Sequence, residues 1–165
     1  MNKILKLYHT IKKYFYYKDG KLLNRRTRSS RALVGEESGW VDAHGYRNVC
    51  LLKRYYKVHR LIFLLHYGYL PVEVDHKDND RLNNKPENLR DASSHNNSCN
   101  SSTPKTNTSG YKGVSWDKSR GKWQVKIQQH GITKHFGRYR LKYKAIEACR
   151  KAREELHGEF CNHGT

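Results

Sequence analysis

Apolar and polar positions alternate most cleanly toward the C-terminal end of the chain. From Lys122 to Gln128, Trp123, Val125 and Ile127 fall on one face and Lys122, Gln124, Lys126 and Gln128 on the other, which predicts a strand with one buried side. Tyr111 to Trp116 reads as a strand before it, with Asp117 to Gly121 as the turn between them. His130-Gly131 turns the chain again, and Lys134 to Tyr139 gives a third strand. The spacing then changes to a helical one. Ala145, Ile146, Cys149, Ala152 and Leu156 line one side of a helix predicted over Leu141 to His157, with Gly158 at its end. Three strands and one helix form a minimal two-layer module, the helix covering the apolar face of the sheet.

The N-terminal half is less regular. Tyr14 to Tyr17 is followed by Asp19-Gly20, a strong hairpin turn pair, and then by Leu22-Leu23. Tyr46 to Leu52 and Tyr55 to Val58 read as strands joined through the basic Lys53-Arg54. His59 to Tyr67 is mostly apolar and stops at Gly68, as a short buried helix with a glycine C-cap does. Thr103 to Ser109 is polar and contains proline, so it reads as a linker. The expected organisation is an N-terminal region and catalytic domain over residues 1–102, with its motif at 58–102, a linker at 103–109, and a second domain at 110–160. The fold class expected is α+β.

Composition narrows the partners. The 165 residues hold 33 Lys and Arg against 15 Asp and Glu, a net charge of +18, so a polyanion, and nucleic acid first, is the expected partner. The excess is shared: residues 1–104 carry 19 basic and 10 acidic groups, and residues 105–165 carry 14 and 5. Hydrophobic residues are only 36% of the chain, which argues against one large core. The longest apolar run, Leu61 to Leu65, is far short of the roughly 18 residues that cross a bilayer, and no signal peptide is read at the N-terminus. The four cysteines form no Cys-x-x-Cys pair, so no zinc ribbon is expected, and reduced thiols in a cytoplasmic setting are.

One stretch breaks the basic trend. Between Glu73 and Asp91 lie six acids against four Lys and Arg, a net charge of −2. A solvated loop explains this blandly; a cation site explains it sharply, because bare carboxylates would repel a phosphate backbone. Asp75 and His76 stand side by side on an apparent strand, so their side chains leave by opposite faces. A histidine titrating near neutrality suits a general base, and a carboxylate with an amide oxygen suits a hard divalent cation. Ser93 or Ser94 looks like the N-cap of a short helix carrying Asn97. Taken singly, Asn88 and Asn97 would read as turn or cap residues and the Asp-His pair as a surface pair. His59 reads as a packed or hydrogen-bonded core histidine.

The joint spacing is more informative. Asp75-His76, Asn88-Leu89-Arg90 and Asn97, led in by Val58-His59-Arg60-Leu61 and Tyr67-Gly68, resemble the HNH endonucleases of the ββα-metal class, closest to the phage and intron homing branch. That resemblance implies His76 as general base, Asp75 and Asn97 as ligands of Mg²⁺ or Mn²⁺, and Asn88 as a clamp on the loop that aims His76. Oxygen ligands favour those metals over zinc. It also implies double-stranded DNA as substrate, a bacterial or phage-infected host cell, and no small-molecule substrate.

The C-terminal module resembles a second family. Ser109 to Trp116, Gly121-Lys122-Trp123, His135-Phe136-Gly137 and Glu155 to Gly158 are similar to the AP2/ERF DNA-binding domain, in which a three-stranded sheet backed by a helix lies in the major groove. Lys122, Gln124, Lys126 and Gln128 would then face DNA, with Lys112, Trp116, Lys118 and Arg120 on or beside the first turn. Ser115 and Thr133 stand where arginine is expected, and Lys126 where an acid is common, so the target sequence of that family does not transfer. The expectation is a site-selective endonuclease, of homing type, acting as a monomer on DNA; the rivals are a non-catalytic DNA-binding regulator on a nuclease scaffold and an RNA-binding protein.

Overall fold

The computed structural model describes residues 3–93, 103, 107–129 and 131–163. The chain divides into two compact units, Met1–Ala92 and Ser93–Thr165, and the fold is α+β, built from antiparallel sheets and helices.

The first unit opens with α1 (Lys3–Tyr14), an element the strand-like reading of this region did not foresee. Its apolar positions, Ile4, Leu7, Tyr8, Ile11 and Tyr14, recur three and four apart and all pack toward the core. The hairpin of β1 (Phe15–Lys18) and β2 (Lys21–Asn24) follows, turned at Asp19 and Gly20, both at positive φ, as the Asp-Gly pair predicts. The strand-poor stretch after it is fixed by buried Asn24, which donates to the Glu36 carbonyl and accepts from Ser38 and Arg28.

A three-stranded sheet of β3 (Trp40–Val41), β4 (Arg47–Leu51) and β5 (Arg54–Lys57) leads straight into α2 (Val58–Tyr67). Gly68 ends α2 in the left-handed conformation, its N–H donating to the Leu64 carbonyl, as expected. Val58, Leu61, Ile62, Phe63 and Leu64 bury most of the circumference of α2 in a core shared with Ile11, Phe15, Leu22, Val49 and Leu51. Against this core lie β6 (Glu73–His76) and β7 (Leu89–Ala92), paired antiparallel with Asp75 opposite Arg90 and His76 opposite Leu89. Val74 and Leu89 anchor that pair in the core. Rigid packing under β6 is what gives His76 a fixed position.

The second unit is a sheet in the order β10-β9-β8, formed by β8 (Val114–Asp117), β9 (Lys122–Gln129) and β10 (Ile132–Tyr139), and covered by α3 (Lys142–His157). Val114, Val125, Ile127, Ala145, Cys149 and Ala152 form its core. The first strand starts at Val114 rather than Tyr111. Residues 107–113 are taken up by a turn in which the Asn107 side chain accepts from the N–H groups of Ser109 and Gly110. Gly113 ends that turn at φ 87°, where a β-carbon would stand 2.9 Å from the Cys149 sulfur and 3.1 Å from the Lys126 carbonyl.

Candidate active site

Strand β6 presents Asp75 and His76 at the end of a two-stranded ribbon, and both are buried. The cross-strand position of Asp75 is Arg90, whose Nε and Nη2 both donate to Asp75 Oδ2, at 2.9 and 2.8 Å. A carboxylate this buried needs a compensating charge, and the guanidinium fork supplies it while fixing the rotamer.

His76 is fixed from another side. Its Nε2 lies 2.9 Å from Oδ1 of Asn84, which is itself buried. An amide oxygen only accepts, so Nε2 carries the proton and Nδ1 is the basic nitrogen. The His59 ring stands edge-on to His76 at 4.9 Å, and the Tyr46 ring lies 5.3 Å from His59 and 6.2 Å from His76. Burial pushes the His76 pKa below its ordinary value. The Asn84 hydrogen bond and the charges of Asp78, Asp75 and Asp80 oppose that shift without cancelling it. Burial, with His76, Lys57 and Arg60 nearby, drives His59 further, to about 3. Its Nδ1 has no hydrogen-bond partner among the described residues. Both imidazoles are therefore neutral at physiological pH, the state a general base requires.

The loop from Lys77 to Asn88 is held closed by Asn88. Its Nδ2 donates to Asp78 Oδ1 at 2.9 Å and to the Asn83 carbonyl at 2.8 Å, while its Oδ1 accepts from the Asp78 N–H at 3.2 Å. The Asn88 carbonyl accepts from the Lys77 N–H. Burial pushes the Asp78 carboxyl up, but the hydrogen bonds from Asn83, Asn88 and the Asp80 N–H outweigh it and hold it below its ordinary range. Asn79, at φ 63°, takes the left-handed turn this path needs, a conformation asparagine tolerates. The same loop delivers Asn84 to His76.

Two cations flank the site. The Lys57 ammonium and the Arg81 guanidinium lie 4.0 and 4.8 Å from the centre of the Tyr46 ring, beside the histidine pair. Sequence reasoning did not single out Asn84, Tyr46, Lys57 or Arg81. The Asn-rich composition of the loop was a signal for Asn84, but nothing in the spacing says which asparagine meets the imidazole.

The structure brings Asp75, His76 and Asn88 together. Asn97, with the short helix expected to carry it, lies outside the described residues. Among the described residues no group of three His, Cys, Asp or Glu side chains could hold a metal ion. Of the two oxygen ligands expected from the sequence, Asp75 is described, and its Oδ2 accepts twice from Arg90; a carboxylate with an amide oxygen is a donor pair that suits a hard cation.

In the second unit, register assigns the faces. Lys122, Gln124, Lys126 and Gln128 lie opposite Asp117, Ser115, His135 and Thr133 on the side away from α3. Arg138, opposite Gln124, reaches Asp117 Oδ2 at 3.0 Å across the middle strand. Hydrogen bonds from Ser119 and Arg138, with Arg120 close by, push the Asp117 carboxyl far down. Lys118 and Arg120 are exposed on the turn beside this face. Trp116 does not share it. It pairs with Trp123, ring centres 5.1 Å apart, on the side that α3 covers, although it is still 44% exposed. Lys112 precedes the sheet, and its carbonyl accepts from the buried Cys149 thiol. No described helix is long and apolar enough to cross a membrane.

Comparison with known proteins places this part of the chain in a family. The family described as HNH endonuclease matches residues 56–99. Protein 3.8 of Escherichia phage T7 is 41% identical over 87 residues, which cover 53% of this chain and 71% of that protein. The uncharacterized HNH endonuclease L560 of Acanthamoeba polyphaga mimivirus is 33% identical over 107 residues, covering 63% of this chain and about half, 54%, of the relative. No solved structure matches the chain.

Proposed function

Given that this chain belongs with Protein 3.8 of phage T7 and carries an HNH endonuclease domain over residues 56–99, we propose that it is a divalent-metal-dependent endonuclease that hydrolyses phosphodiester bonds in double-stranded DNA. The observation that carries this is His76: a buried, neutral imidazole with Nε2 committed to Asn84, beside a carboxylate held by Arg90.

His76 withdraws a proton from water at Nδ1, and Asn84 steadies the imidazolium through Nε2. Asn88 acts through geometry, closing the loop that places Asn84. Lys57 and Arg81 supply positive charge beside the histidines, where a phosphate gains negative charge during attack. Asp75 and Asn97 would hold Mg²⁺ or Mn²⁺, which supplies charge stabilisation to the phosphate and the leaving oxygen when bound. Site selectivity of the homing kind would come from the outer face of the second unit. There Lys122, Gln124, Lys126 and Gln128 would meet DNA in the AP2/ERF manner, with Lys118 and Arg120 on flanking phosphates. Lys112 would contribute from the edge, whereas Trp116, on the side that α3 covers, would not. One copy would act on one strand at a time.

Supercoiled plasmid incubated with the full chain and Mg²⁺ should be converted to nicked or linear DNA. EDTA and His76→Ala should each abolish this. Tight, salt-sensitive binding without any cleavage in Mg²⁺ or Mn²⁺ would instead identify a DNA-binding regulator.

A further inference from the structure

The β4–β5 hairpin carries a turn its residues do not suit. Leu52 and Lys53 join the strands with φ 49° and 62°. Two-residue loops of this kind strongly prefer Asn-Gly, Asp-Gly or Gly-Gly, because a β-carbon is strained at positive φ. The strain is not offset by burial, since Leu52 is 65% exposed. An exposed apolar side chain held at a strained apex points to a task outside the fold.

Its surroundings name that task. Lys53 and Arg54 follow it directly and are exposed. Tyr55, 74% exposed, stands edge-on to Trp40 at 5.8 Å. The pairings of Trp40 with Asn48, Asn48 with Lys57 and Cys50 with Tyr55 put Trp40, Tyr55 and Lys57 on one face, while Val49 and Leu51 pack into the core. That face runs from Lys57 to Tyr46 and so to His76. From the Asn48–Lys57 pair to the Leu51–Arg54 pair is three residues, so the turn lies about 10 Å along the hairpin from the first pair. An apolar tip followed by two exposed cations, with aromatic rings behind it, on the face that leads to the proposed cutting site, matches the way side chains part stacked bases from the minor groove.

We infer that Leu52 is a wedge that enters the minor groove of duplex DNA and opens one base step to the side of the cut. Lys53 and Arg54 hold the flanking phosphates, and Tyr55 lies against the opened step. The proposal rests on the nuclease reading for the identity of the polymer, but its test requires no cleavage.

The full chain carrying His76→Ala, in EDTA and low salt, is titrated into mixed-sequence 30-base-pair duplexes with 2-aminopurine at successive positions through the middle third. Fluorescence should rise severalfold on saturation. Leu52→Asn and Leu52→Gly suit positive φ, so they should keep or raise the melting temperature while losing most of the rise. Leu52→Met should retain it. An unchanged signal in the Asn and Gly variants, or bound duplex with no rise for the Leu52 protein, would overturn the wedge. A concentration-dependent dimer that Leu52→Asn abolishes would assign the tip to a second copy of the chain and would also overturn it. A chain that binds and gives the Leu52-dependent rise, yet never cuts with Mg²⁺, would contradict the nuclease reading alone.

Discussion

Replacing Asn88 by aspartate and by alanine separates a clamp from a filler. Asn88→Ala removes two donor bonds from Nδ2, one of them to the Asp78 carboxylate, and the acceptor of the Asp78 N–H. With about 2 kcal/mol for the charged bond and about 1 for each neutral one, the ceiling is about 4 kcal/mol. Water entering a loop that is partly exposed should return about a third of it. Asn88→Asp keeps the acceptor but sets a second carboxylate about 3 Å from that of Asp78, a repulsion of up to about 5 kcal/mol at an effective dielectric constant of about 20. At pH 8 the aspartate should therefore cost more than the alanine. The pair then shares a raised pKa, and a group raised in the folded state recovers its stability as pH falls through that value. At pH 5 the aspartate variant should come back toward or above the alanine one. Urea unfolding of the full chain, followed through the ring protons of His59 and His76, reads both values. Losses below about 0.5 kcal/mol in both variants, or an aspartate penalty that grows on acidification, would refute the clamp.

Two further outcomes follow from the same geometry. His59 is buried and neutral, with its pKa near 3 against an ordinary 6.5. The unfolded chain takes up that proton first as pH falls, so stability is lost below about pH 6.5 at roughly 1.4 kcal/mol per unit from this group. His59→Phe should remove that dependence, narrowing the loss between pH 7 and 4.5 by about 2–3 kcal/mol in urea unfolding, and an undiminished slope would contradict it. Lys126→Ala and Lys122→Ala should each lower the dependence of log affinity on log salt by about one unit in fluorescence anisotropy, leaving the plasmid-cutting rate at saturating protein nearly unchanged.

The sequence made the second unit legible because each of its elements has its own period. The alternation of β9 and the spacing of Ala145, Cys149 and Ala152 report burial on one side, and the structure buries those positions. Trp116 was harder to place: its face depends on register with Trp123, which no local pattern encodes. In the first unit, Asp-Gly and the apolar run ended by Gly68 announced a hairpin and a helix. The helix Lys3–Tyr14 was missed because the aromatic run at its end masks the period of Ile4, Leu7 and Ile11. Asp75, His76 and Asn88 were marked by spacing. The partnership of Asn84 with His76, and of Arg90 with Asp75, arises only when the loop closes and the strands pair.

The measurement that bears most directly on the central claim is the pH dependence of single-turnover DNA cleavage at saturating Mg²⁺, for the natural chain beside Asn84→Asp and His76→Ala. The account predicts an acid limb whose midpoint lies below the ordinary histidine value of 6.5, because burial holds His76 neutral. It predicts that a carboxylate at position 84 moves that limb upward, and that His76→Ala is inactive while still binding DNA. An acid limb at or above 6.5 that Asn84→Asp leaves in place, or cleavage retained in His76→Ala, would contradict it.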